Sequence, residues 1–191
     1  MTADMVPPSL GLRGVKLPVV DLEATRSWYS LIFGWETIME FPDSSGVIQG
    51  AAGRVPGPNP VGLSFRANPG AVPQEGLELA FDIETRADLE AWLDHLDRHN
   101  VQHSPIIDAT VAWLVVFKDP DGHEIHLMTR EKHGIDQTGR PGYGRTVAET
   151  PAGSPAQPRR SPAPALLPRD GIAGWQRESI RIPATPAPPR Q

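Results

Sequence analysis

There is no cysteine among the 191 residues. Disulfide staples and thiolate zinc sites are excluded, and cysteine usage carries no message about redox compartment. No apolar run approaches the roughly 20 residues that a membrane-spanning helix needs. Met1 to Pro8 contains Asp4 and no basic segment leading into an apolar one. A secretory leader is therefore not expected, and a cytoplasmic protein with no membrane partner is. Positive charge is scarce over most of the chain. Residues 1–134 hold 10 Lys/Arg against 19 Asp/Glu, a formal −9; residues 135–191 hold 8 against 4, a formal +4; together they give −5. An acidic body repels nucleic acid, and the basic remainder has no aromatic spacing beyond Trp175, so no nucleic-acid partner is expected.

Composition changes near Ile135. Half of the 22 prolines lie beyond that point, in stretches such as Pro151-Ala-Gly-Ser-Pro-Ala-Gln-Pro158 and Pro183-Ala-Thr-Pro-Ala-Pro-Pro189. Such a sequence buries too little apolar surface to offset its ordering entropy, and proline interrupts ladders and helices alike. Residues 135–191 are expected to be a mostly disordered tail. One island in it, Gly171 to Ile182 around Trp175, either docks or hangs free.

The body, residues 10–134, carries an internal repeat. The first module, about 10–70, opens with a strand over Leu12–Val20. Asp21 then caps a helix whose apolar positions Leu22, Tyr29, Ile32 and Phe33 share a face, and Gly34 ends it. Strands follow at Trp35–Phe41, Gly46–Ala52 and Val61–Ala67. The second module, about 75–134, repeats the order. It has a strand at Leu77–Ile83, then a helix capped by Thr85 with Asp88 three residues on, striped by Leu89, Trp92, Leu93 and Leu96 and closed near Asn100. Its further strands fall at Val101–Ile107, Ala112–Lys118 and Glu124–Arg130. The fold class expected is α+β: two tandem βαβββ modules whose mixed sheets curl into a cup.

The most telling stretch runs from Val115 to Met128. An apolar strand meets an Asp119-Pro-Asp-Gly122 turn, in which Pro120 presets the backbone and Gly122 takes the positive φ. Beyond the turn a period of two sets Glu124, His126 and Met128 on one face and Ile125 and Leu127 on the other. A carboxylate and an imidazole on one strand face make a candidate site.

These pieces resemble the vicinal oxygen chelate superfamily, which includes glyoxalase I, bleomycin-resistance proteins, fosfomycin-resistance enzymes and extradiol dioxygenases. The resemblance rests on Val15 to Leu22, Trp28 to Trp35, Leu79 to Ile83 and above all Phe117-Lys-Asp-Pro-Asp-Gly-His-Glu-Ile-His-Leu127. It implies a cup that takes a small-molecule ligand, in many members with a divalent metal (Zn, Ni, Mn or Fe). It also implies a cup completed within one chain or across a homodimer. The ligands implied are two His and one Glu, from the first strand of each module and the last strand of the second. This chain departs from that set. The position before Val15 is Gly14, which has no donor; the second-module position is Glu78 in place of His; the last-strand position is His126 in place of Glu. Late in module one only Ser64 offers an oxygen.

Glu78 and His126 are accordingly the candidate metal and catalytic residues, with two accounts open. One is a reduced metal site completed by water, ligand, His123, His103 or Glu124. The other is a metal-free Glu–His hydrogen bond that would raise the imidazole pKa. Lys16 shares a strand face with Gly14, and either pairs with Glu78 or holds an anionic group of a ligand. Trp113 is the one tryptophan considered for a cup wall, and His95 and His99 have the four-residue spacing of metal pairs on a polar stretch. Three functions fit: a metal-dependent lyase or dioxygenase of glyoxalase type, a metal-free drug-sequestering binder, or a metal-free general-base isomerase or epimerase.

Overall fold

Burial alternates along the first strand, and that alternation places its sheet. In β1 (Gly14–Val19), Leu17 and Val19 are fully buried while Gly14 and Lys16 are exposed. The computed structural model describes residues 12–58, 60–73, 76–137 and 140–143. Their elements follow the expected order: β1, α1 (Leu22–Phe33), β2 (Glu36–Pro42), β3 (Ile48–Arg54), β4 (Gly62–Ala67), β5 (Glu78–Ile83), α2 (Arg86–Arg98), β6 (Ile107–Asp108), β7 (Ala112–Lys118) and β8 (Glu124–Lys132). They build two four-stranded sheets, ordered β1-β4-β3-β2 and β5-β8-β7-β6. The contacts group the described residues into two compact units, one drawn from residues 12–79, 95–101 and 118–125, the other from residues 80–94, 102–117 and 126–143.

In the first unit β1 pairs with β4 in parallel, and β3 joins β4 and β2 antiparallel. The helix caps form as the sequence predicts. Asp21 accepts the Ala24 N–H at 3.0 Å, and Gly34 turns left-handed at φ 64°. Close packing sets two glycines. A Cβ on Gly14 would stand 2.6 Å from the Gly62 carbonyl oxygen, and one on Gly53 would run into the Trp35 ring, whose Nε1 donates to the Leu63 carbonyl at 3.0 Å. Strand β2 is exposed along its whole length; Glu36, Glu40, Pro42 and two register shifts guard it against edge pairing. His95 Nε2 donates to the Ile32 carbonyl at 3.1 Å, satisfying a carbonyl in the last turn of α1.

The turn between β7 and β8 also belongs to this unit, and it is bolted to α1. Gly122 takes φ 86°, as the turn requires. The buried Asp119 accepts the backbone N–H groups of Asp121 (3.0 Å) and His123 (2.8 Å), the His123 Nδ1–H (2.8 Å) and the Tyr29 hydroxyl (3.0 Å). Asp121 accepts the Val20 N–H at 2.6 Å and the Thr25 hydroxyl at 2.7 Å. Burial first, and the Asp119 charge second, push the Tyr29 phenol well above its ordinary pKa, so it stays a donor.

In the second unit Thr85 and Asp88 cap α2 reciprocally, each accepting the other's N–H at 3.1 Å. Asn100, at φ 55°, follows the helix as expected of a residue that tolerates the left-handed region. The sixth strand is shorter than its sequence suggests: only Ile107–Asp108 ladders, with an isolated bridge from His103 to Phe117. Pro105 has no N–H to give, and the Ser104 hydroxyl instead accepts the Val116 N–H at 2.9 Å. Packed chain runs past residue 134. His133 is bonded to the Ala109 carbonyl (2.9 Å), Gln137 is buried, and the Tyr143 hydroxyl reaches the Asp108 carbonyl (3.3 Å). The rest of the proline-rich segment, including the Trp175 island, lies outside the described residues. No helix among them is long and apolar enough to cross a membrane.

Three outcomes follow. Gly14→Ala is expected to cost about 1–3 kcal/mol by overpacking against backbone, and a denaturant midpoint equal to the parent's would contradict that packing. Removing 135–191 should lower the melting temperature through loss of the Gln137 and Tyr143 contacts; a melt equal to the parent's would refute that packing. Asp43 accepts bonds from Ser45, Val47 and Gln49, and the Ser45 hydroxyl above all lowers its pKa to about 2 from 3.8. Its contribution to the β2–β3 hairpin is therefore present above pH 3.8 and lost as pH falls through about 2. An NMR titration of the Asp43 carboxyl with a midpoint near 4 would refute this.

Candidate metal centre

Sheet order makes β5 and β8 neighbours, and that adjacency assembles the site. Glu78 opens β5, Glu124 opens β8, and His126 lies two residues further on, on the same strand face as Glu124. Asp82 pairs with Arg130 at 3.0 Å, and the Glu131 N–H reaches the Glu84 carbonyl at 3.0 Å, so both strands advance in the same direction. One ligand atom from each of Glu78, Glu124 and His126 lies within 4.8 Å of the others. Their exposure is graded: Glu78 is open, Glu124 half-buried and His126 only 3% exposed.

Two carboxylates this close repel each other, and a cation between them relieves the repulsion. Bonds of about 2.0–2.2 Å to one ion set ligand atoms roughly 3–4 Å apart, so side-chain rotation closes the remaining gap. Two oxygens and one imidazole nitrogen suit Mn, Fe, Ni or Zn rather than a soft ion. The residues present therefore fit a divalent metal. Glu78 and His126 lie in one group, and Glu124 is its third member.

The other residues singled out are used elsewhere. His123 is bound to Asp119, and His103 Nδ1 to the Ser104 carbonyl at 2.7 Å. Of the three residues the sequence leaves open to complete the site, only Glu124 joins Glu78 and His126 in the group. Gly14 cannot take a donor side chain without a shift of β1 or β4, since its Cβ would strike Gly62. Lys16 is exposed on β1 in register with Ser64, and no hydrogen bond or ion pair joins it to Glu78 among the described residues. The Trp113 ring is covered by the Arg86 guanidinium at 5.0 Å and met edge-on by His133. His95 and His99 contact each other, 4.7 Å between ring centroids, but no acidic residue joins them in a three-donor group among the described residues.

Solved structures share this fold. A glyoxylase/bleomycin resistance protein/dioxygenase domain from Frankia sp. EAN1pec is 21% identical, with TM-score 0.53, covering 64% of this chain and 98% of its own. A lactoylglutathione lyase from Agrobacterium tumefaciens is 16% identical, with TM-score 0.51, covering 68% and 100%. The fosfomycin resistance protein FosX from Listeria monocytogenes, in complex with Mn(II) and 1S,2S-dihydroxypropylphosphonic acid, is 20% identical, with TM-score 0.53, covering 63% and 93%. Identities this low speak to fold alone, and no curated protein matches the chain. Residues 11–127, most of the described chain, match one family throughout: the protein belongs to the Glyoxalase/Bleomycin resistance protein/Dioxygenase superfamily.

Proposed function

We propose that the protein is a divergent glyoxalase/dioxygenase-type member that holds a divalent ion through Glu78, Glu124 and His126 and acts on a small molecule there. The observation that carries this is the convergence of three donor atoms within 4.8 Å on adjacent strands. An ion bound there supplies Lewis acidity toward an oxygen of the ligand. His126, buried, anchors the site. Glu78, the most exposed donor, is the group best able to exchange its bond for a proton of the ligand. The lyase and the Mn(II)-bound FosX among the solved relatives support the reading, since both carry small-molecule chemistry on this fold. Lys16, exposed and unpaired among the described residues, is assigned to an anionic group of that ligand. A cytoplasmic homodimer, ending in the proline-rich tail, completes the proposal.

The test is metal content after mild dialysis, with melting curves in added Mn, Fe, Ni or Zn. The parent is expected to retain one ion per chain and to melt higher with it, because an ion at 100 times its Kd adds about 2.7 kcal/mol. Glu78→Ala, Glu124→Ala and His126→Ala should each lose the ion, while Lys16→Ala keeps it and loses affinity for anionic ligands. A parent without metal, whose melt no ion moves, would reject the reading in favour of a metal-free binder or general-base isomerase. Sedimentation of the same sample at monomer mass would remove the dimer.

A further inference from the structure

Helix α1 reaches the turn that leads into β8, the strand of Glu124 and His126. Thr25 and Tyr29, four residues apart and so on one helix face, meet Asp121 and Asp119, two apart in the turn. The Asp119 carboxylate then grips the turn from within. One oxygen accepts the N–H groups of Asp121 and His123, and the other accepts the His123 imidazole and the Tyr29 hydroxyl. His123 is the residue immediately before Glu124, and its side chain and backbone are both held by Asp119. Gly122 lies close against Pro73, 2.8 Å from where its Cβ would stand, so the turn has no room to slide that way.

We infer that Tyr29 is a positioning residue for the metal centre, fixing through Asp119 the point at which β8 begins and hence where the Glu124 and His126 donors stand. The inference rests on the proposed metal site and adds to it a control exerted from α1. Among the described residues no hydrogen bond or ring contact joins Tyr29 to Glu78, Glu124 or His126. Its hydroxyl is the only side-chain group of α1 that reaches Asp119 among the described residues. Groups hydrogen-bonded directly to metal ligands change metal affinity about 10–100-fold when lost; Tyr29 acts one step further out, through Asp119 and the turn.

Tyr29→Phe removes the hydroxyl and leaves the ring to pack on Phe65 and Phe33. Trp35→Phe is the control, because it deletes another buried hydrogen bond of the same unit, that to the Leu63 carbonyl. The full chain is titrated with Zn2+ by calorimetry and with Co2+ by absorption, and melting curves record the stability of each variant. Tyr29→Phe should weaken Zn2+ binding at least tenfold and alter the Co2+ spectrum, while Trp35→Phe lowers the melting temperature and leaves the Kd within twofold. An unchanged Kd in Tyr29→Phe, or equal shifts in both variants, would overturn the positioning role while the metal site stands. A parent that binds neither ion would overturn the metal site itself, and the positioning role with it.

Discussion

A buried carboxylate is expensive unless its oxygens are filled, and Asp119 fills both with four donors. That requirement organises the turn around it. The two backbone N–H groups close the loop, the His123 ring folds back into the interior, and the Tyr29 hydroxyl ties the loop to α1. Asp121 adds a second tie, satisfying the Val20 N–H at the end of β1 and the Thr25 hydroxyl on α1. The turn that from sequence alone marks a change of strand direction is thus a polar bolt inside an apolar unit. Breaking one member leaves the others buried with unmet bonds, so its parts are interdependent rather than additive.

The second constraint is how closely β1, β3 and β4 approach. Gly14 against Gly62, and Gly53 under the Trp35 ring, exist because backbone or indole occupies the space a side chain would need. Position 14, where the family resemblance implies a ligand, is closed to any side chain in this chain unless β1 or β4 shifts. The group that could hold an ion comes instead from β5 and β8.

How much of this was legible beforehand follows from which forces are local. Helix ends at Asp21, Gly34, Thr85–Asp88 and Asn100 are set by side chains within a few residues, and the sequence shows them. Strand alternation likewise foretold Glu124 beside His126, and the family's spacing foretold Glu78 opposite. Three things were hidden. The short β6 depends on Pro105 withholding a donor from a partner strand not visible in one dimension. The Asp119–Tyr29 bond spans ninety residues of chain, and nothing in either neighbourhood announces it. The packing of Gln137 and Tyr143 lies in a segment whose composition argues for disorder, because composition averages over a stretch and cannot see one tyrosine bonded back to Asp108.

The donor arrangement has a consequence for chemistry. Glu124 and His126 are two apart on one strand and Glu78 comes from its neighbour, so all three would approach a bound ion from the same sheet. Donors confined to one side would leave the other coordination positions to water or to a ligand. Two carboxylates and one imidazole make a hard, negative set, which would favour oxygen-loving divalent ions. The gradient of exposure then sorts the group: with an ion bound, the buried imidazole would be the fixed anchor and the exposed Glu78 the donor able to let go.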